Sequence, residues 1–181
     1  MDMITSEAEK FEFLKWRHRL DPPYYVNSTA ISADGKFVVA GSFFHQYSPD
    51  PAAIQPPPQA VPQEFGTYLF DREGRQLWVD RFVGYEGVYW VAISGDGGIV
   101  ASGGWMSSDP YQGYIRAYET ANGPANILDY RLGTRVNALA LSSDGSALVG
   151  AADQIYLFQQ ANGTFPASPT IFPVASSGTS I

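Results

Sequence analysis

A ten-residue pattern occurs three times in this 181-residue chain and constrains its fold more than any other feature. The copies are Val26-Asn27-Ser28-Thr29-Ala30-Ile31-Ser32-Ala33-Asp34-Gly35, Val88-Tyr89-Trp90-Val91-Ala92-Ile93-Ser94-Gly95-Asp96-Gly97 and Val136-Asn137-Ala138-Leu139-Ala140-Leu141-Ser142-Ser143-Asp144-Gly145. Val, Ala, Ile or Leu, Ser, Asp and Gly recur in register without gaps. Such repetition means that one supersecondary unit is built several times, each copy burying its apolar face on a neighbour.

The rest of each unit follows from the same alignment. Three residues after each Asp comes a short apolar run, Phe37–Gly41, Ile99–Gly103 and Ala147–Ala151. Asp-Gly between two such runs is the strongest short hairpin signal. A third strand is expected at Thr67–Asp71, Tyr114–Tyr118 and Ile155–Gln159, each followed by a turn at Gly74, Gly123 or Gly163. A more polar fourth strand is expected at Gln76–Phe82, Ile127–Leu132 and Thr170–Phe172. The first strand is apolar on both pleat faces, as Val91 and Ile93 against Trp90 and Ala92 illustrate, which predicts cover on both sides. The fourth alternates apolar with charged residues, as a half-exposed edge should.

Units are thus expected at about 24–82, 86–132 and 134–174 within a single domain over 1–175. Residues 11–20 read as an extra outer strand, with a helix begun by Ser6 and Glu9 as the rival. Residues 48–64 form a Pro-rich loop insertion, and 176–181 form a tail.

Four antiparallel strands graded from buried to wet describe a propeller blade. Ala30-Ile31-Ser32-Ala33-Asp34-Gly35, its two echoes and Gly74-Arg75-Gln76-Leu77-Trp78 resemble the WD-repeat-like and quinoprotein (PQQ)-like repeats of the β-propeller superfamily. The resemblance covers roughly residues 11 to 175. The Trp-Asp dipeptide is missing, with Phe70-Asp71, Tyr118-Glu119 and Phe158-Gln159 in its place, which argues against the strict WD-repeat class. The resemblance implies an all-β chain forming a partial β-propeller of three four-stranded antiparallel blades. Since closed rings use about four to eight blades, this one would be completed by oligomerisation or by missing blades of a longer parent chain.

A formal net charge of −7 removes the electrostatic attraction on which nucleic-acid and anionic-lipid binding depend, so neither partner is expected. Without cysteine there are no disulfides, thiolate metal sites or thiol nucleophiles. The polar opening lacks an apolar signal-peptide core and no apolar run reaches membrane-spanning length, so a soluble, cytoplasmic protein is expected.

Chemistry-bearing constellations are sparse. Only His18 and His45 are present. His45 with Ser42 or Ser48 and Asp50 supplies triad residue types without a nucleophile elbow, and reads as a polar loop histidine. Asp34, Asp96 and Asp144 lie one per unit, too dispersed for shared metal coordination, and read as turn formers. Gly95-Asp96-Gly97-Gly98 lacks the Lys-Ser/Thr of a phosphate loop. No catalytic residue, metal or cofactor is expected.

Strand order places the loops before each first strand and those between second and third strands on one face. The second-to-third loops are very unequal in length, and the loops of this face together carry Tyr24, Tyr25, Phe44, His45, Tyr85, Trp105 and Tyr111. Long irregular loops in a compact repeat are usually functional or disordered, and aromatics with a polar handle suit a surface that is half apolar and half wet. For Trp105 and Phe44, capping of the core stands beside binding. The reading is a non-catalytic protein- or peptide-binding or scaffold module, either a homo-oligomer or a fragment of a longer propeller. Its alternatives are an enzyme or enzyme fragment of the PQQ-dependent dehydrogenase type, as the quinoprotein resemblance implies, and a carbohydrate-binding propeller.

Overall fold

The computed structural model describes residues 15–18, 24–44, 65–82, 86–106 and 112–174. These residues are all-β. Their strands are β1 (Tyr24–Ile31), β2 (Phe37–Phe44), β3 (Phe65–Asp71), β4 (Gln76–Phe82), β5 (Glu86–Ile93), β6 (Ile99–Met106), β7 (Gln112–Glu119), β8 (Asn126–Leu132), β9 (Ala138–Leu141), β10 (Ala147–Ala151), β11 (Ile155–Gln159) and β12 (Thr170–Phe172). Among the described residues the helical content is one 3-10 turn at Thr120–Asn122.

The conserved spacing of the repeat is local hydrogen-bond chemistry. In every copy the Ser hydroxyl donates to the Asp carboxylate two residues on, at 2.8 Å for Ser32, 2.6 Å for Ser94 and 2.6 Å for Ser142. The same carboxylate accepts the amide of Lys36, Gly98 or Ser146. The Ser oxygen in turn accepts the amide that opens the next strand, at Phe37, Ile99 and Ala147. Gly35, Gly97 and Gly145 follow with φ of 67°, 75° and 72°, a left-handed conformation that glycine adopts at least cost. Ser, Asp and Gly are therefore one device, a turn whose polar groups are satisfied internally.

Antiparallel pairing joins β1 to β2, β2 to β3 and β3 to β4, and likewise β5 through β8 and β9 through β12. We refer to these as three quartets. The first two are not separate sheets. Where β3 diverges from β2, Phe43 and Phe44 pair with Gly87 and Glu86, so β5 takes over that edge. The first eight strands form one sheet that curls into a half-barrel, and the last four form a second sheet.

This corrects the expectation of three independent four-stranded blades of WD-repeat-like or quinoprotein-like kind. The physical reason is the β2–β5 ladder: backbone hydrogen bonds that would end at the edge of a separate blade continue into the next quartet.

Packing follows from strand alternation. Val39, Phe65 and Leu69 of the first quartet meet Val91, Val100, Tyr114 and Tyr118 of the second in one core. Ala101, Ile115 and Leu128 of the second quartet meet Leu139, Leu148 and Phe158 of the third in another. The far face of the first quartet holds Ala40, Tyr68 and Phe70, partly covered by Trp16. Residues 15–18, the described part of the expected 11–20 outer strand, carry no strand. Trp16 nevertheless donates its indole N–H to Arg72 O at 3.1 Å. The Pro-rich segment 48–64 and the tail 176–181 lie outside the described residues. No helix among the described residues is long and apolar enough to cross a membrane.

Candidate functional site

The ends of β1, β2, β5 and β6 meet at one rim of the sheet. Cross-strand pairing sets Tyr25 opposite Phe43, Phe43 opposite Gly87, Gly87 opposite Trp105 and Trp105 opposite Gly113. Residues paired directly across antiparallel strands share a face, so this row sets two adjacent aromatics, Tyr25 and Phe43, and then Trp105 between two glycines on one face. Gly87 has a φ of 141°, and a Cβ there would lie 2.8 Å from both the Phe65 ring and Ser42 O. Only glycine lets β5 come this close to β2.

Tilted ring contacts extend the row sideways. The rings of Tyr25 and Phe43 lie 6.0 Å apart and those of Phe43 and Tyr89 5.9 Å apart. The Arg135 guanidinium sits 4.8 Å from the centre of the Tyr89 ring, a separation at which the cation is attracted to the ring face. Two further bonds tie β1 to β5 beside this ladder. Asn27 donates its side-chain N–H to Tyr89 O at 2.8 Å, and the Val91 amide donates to Ser28 Oγ at 3.1 Å. The ladder is thus preformed on strands, with Tyr25 55% exposed at its open end.

Of the residues singled out from the sequence, Tyr25 and Trp105 have described side chains, the first exposed and the second half-buried. Tyr24 and Phe44 are placed by their backbones, opposite one another at the start of β1 and the end of β2. His45, Tyr85 and Tyr111 lie outside the described residues. Sequence reasoning missed Tyr89, which occupies a variable position of the repeat, and gave no role to Arg135. The available signal was modest: Tyr89 is the aromatic counterpart of Asn27 and Asn137 in the aligned copies.

The opposite ends of the two sheets carry the three Asp-Gly turns, two on the first and one on the second. The Lys36 ammonium and amide, with the Ser32 hydroxyl, hold the Asp34 carboxyl well below the usual carboxylate range. The Ser142 hydroxyl, followed by the Ser146 amide and hydroxyl, holds Asp144 down to about 2. Asp96 is lowered by Ser94 and the Gly98 amide. Each carboxylate is committed to its own turn. Among the described residues no three or more His, Asp or Glu side chains gather where they could hold a metal ion.

No protein-family model matches the chain, and no curated protein matches it. Among solved structures it is similar to a chain in the complex of KlAtg21 with the coiled-coil of AgAtg16. The TM-score is 0.51 at 18% identity, over 76% of this chain and 40% of that one. This chain therefore spans less than half the length of that neighbour. A likeness at this identity speaks for the strand-rich fold, and it carries no WD-repeat or quinoprotein assignment.

Proposed function

We propose that the chain is a non-catalytic protein- or peptide-binding module whose contact surface is the rim built on Tyr25, Phe43, Tyr89, Trp105 and Arg135. The observation that carries this reading is the preformed ladder: the rings of Tyr25, Phe43 and Tyr89 make tilted contacts in series, with Arg135 over the last ring. Aromatic residues and arginine dominate binding energy at protein interfaces, and rigid strand-borne anchors lose little conformational freedom on binding. Phe44 ends β2 at that rim and belongs to the proposed surface, and His45, Tyr85 and Tyr111 are proposed for it from the sequence alone. The neighbouring fold was solved as a complex with a coiled-coil, which agrees with a role in protein recognition.

The test is selection from a displayed peptide library on the immobilised chain, with a glycan array in parallel. Peptides that lose binding to a Tyr25→Ala/Tyr89→Ala variant support the proposal. Glycan binding lost on the same variant would replace it with carbohydrate recognition, and selected peptides indifferent to the variant would place recognition elsewhere.

A further inference from the structure

The tripeptide Ala-Asn-Gly occurs twice, at Ala121–Gly123 and Ala161–Gly163, each time between the third and fourth strand of a quartet. In an Asn-Gly pair the main-chain nitrogen of the glycine can attack the side-chain amide of the asparagine. Glycine neither hinders the approach nor resists the backbone rotation it needs. The two copies carry the same local signal, and the fold treats them differently.

Asn122 closes the 3-10 turn, which is bolted to neighbouring strands through Thr120. The Thr120 amide donates to Gly98 O at 2.9 Å and its hydroxyl to Gly97 O, while the Trp78 indole N–H donates to Thr120 O at 3.2 Å. The Asn122 side-chain N–H is held by the Glu119 carboxylate. That negative charge also opposes loss of the Gly123 amide proton, which attack requires. Asn162 and Gly163 instead stand exposed at the tip of a turn, with φ of 55° and 76°. Among the described residues Asn162 is the one non-glycine with positive φ, and its side chain makes no hydrogen bond. The turn is closed by its own bridge, Ala161 N–H to Thr164 O at 2.9 Å and Thr164 N–H to Ala161 O at 3.2 Å.

The three Asp-Gly pairs could close the same ring, but their turns lock both reacting groups. The Gly35, Gly97 and Gly145 amides donate to Ser32 O, Ser94 O and Ser142 O at 2.9, 3.0 and 3.0 Å. Their carboxylates are held ionised by the Ser hydroxyls, and an ionised carboxylate is a poor electrophile.

We infer that Asn162 is a site of spontaneous deamidation in the folded chain, and that Asn122 is spared. The Asn162–Gly163 peptide first turns out of its left-handed conformation, which breaks only the exposed 161–164 bridge. The Gly163 nitrogen gives its proton to solvent and attacks Asn162 Cγ; a C–N bond forms and the side-chain nitrogen leaves as ammonia. Water then opens the succinimide. Opening at the side-chain carbonyl leaves aspartate, and opening at the main-chain carbonyl leaves isoaspartate, with the chain running through the former side chain. Either product adds a negative charge, and isoaspartate lengthens the backbone by one carbon. The lengthened turn leads into Phe165, buried in the core between the second and third quartets. The site is independent of the aromatic rim.

Incubation of the full chain in mildly alkaline buffer, followed by peptide mapping and by methyl labelling with a protein isoaspartate methyltransferase, reads this directly. Conversion should be at least roughly tenfold faster at Asn162 than at Asn122 in the folded chain, because local opening sets the rate. In urea the difference should vanish, since local structure no longer separates the two tripeptides. Asn162→Gly keeps a left-handed turn and has no amide to lose, so it should lose most of the label with unchanged strand content by circular dichroism. Equal rates at the two sites in the folded chain overturn the inference. So does a folded chain still intact at Asn162 after the time in which the unfolded chain has converted both, and so does a label retained by Asn162→Gly.

Discussion

The Arg116 guanidinium on β7 lies 2.8 Å from the Asp80 carboxylate on β4, an ion pair that crosses from the second quartet to the first. Their side chains are only 13% and 18% exposed. Arg116 also reaches Asp129 at 3.1 Å, and the Tyr118 hydroxyl donates to Asp80 at 2.7 Å. Burial alone would favour a neutral Arg116, but Tyr118, Asp129 and Asp80 hold its proton more tightly than usual. Burial, followed by the Asp80 charge, pushes the Tyr118 hydroxyl up. Removing one partner of such a pair strands a charge where water reaches poorly. Asp80→Ala should therefore cost about 3–5 kcal/mol in urea unfolding. Asp80→Ala combined with Arg116→Met should cost less than the two single changes summed.

The Asp-Gly turns make stability fall in acid. Asp34, Asp96 and Asp144 ionise more readily when folded than the roughly 3.9 expected unfolded. Their contribution is therefore present above about pH 4 and is lost as pH falls from about 4 toward about 2. Each is a small contribution, because water screens these exposed groups. Urea midpoints measured through this range should fall, and the fall should be shallower for Asp144→Asn.

Phe158 is fully buried between the second and third quartets, with its ring 5.3 Å from that of Tyr130. Phe158→Ala removes the aromatic that anchors β11 on the second quartet and should cost about 3–5 kcal/mol in denaturant unfolding. A loss below about 1 kcal/mol would mean that the third quartet is held by other contacts.

Gly104 tests how closely β5 and β6 approach. A Cβ there would lie 2.0 Å from Gly87 O, which is backbone and cannot swing away. Gly104→Ala should abolish cooperative thermal unfolding or lower its midpoint by many degrees. Gly123→Ala, with open space around its Cβ position but a φ of 75°, should cost only the left-handed backbone strain.

Most of the strand order was legible from the sequence because its signals are local. Ser, Asp and Gly close each turn among themselves, and the apolar runs on either side have no choice but to pair. The β2–β5 ladder was not legible, since it rests on two residue pairs whose meeting depends on where β3 leaves β2. Trp90 and Ile31 read as buried from the apolar character of their strands, yet they are 44% and 61% exposed. Both lie where their strand has a ladder on one edge only, so one side is left open. At the rim, Trp105 was singled out from the unequal second-to-third loops and Tyr25 from its place on the same face. The Tyr89–Arg135 contact joins positions 46 residues apart in sequence, and no periodicity encodes it.

The most direct test of the binding account is the affinity of a selected peptide for the wild-type chain and for Tyr25→Ala/Tyr89→Ala, with thermal midpoints measured alongside. Two rim aromatics should together carry at least about 2 kcal/mol of binding, roughly a thirtyfold loss, while the fold stays cooperative and only modestly less stable, since Tyr25 is exposed and Tyr89 half-buried. Equal affinity for the two proteins would contradict the assignment of the rim as the contact surface.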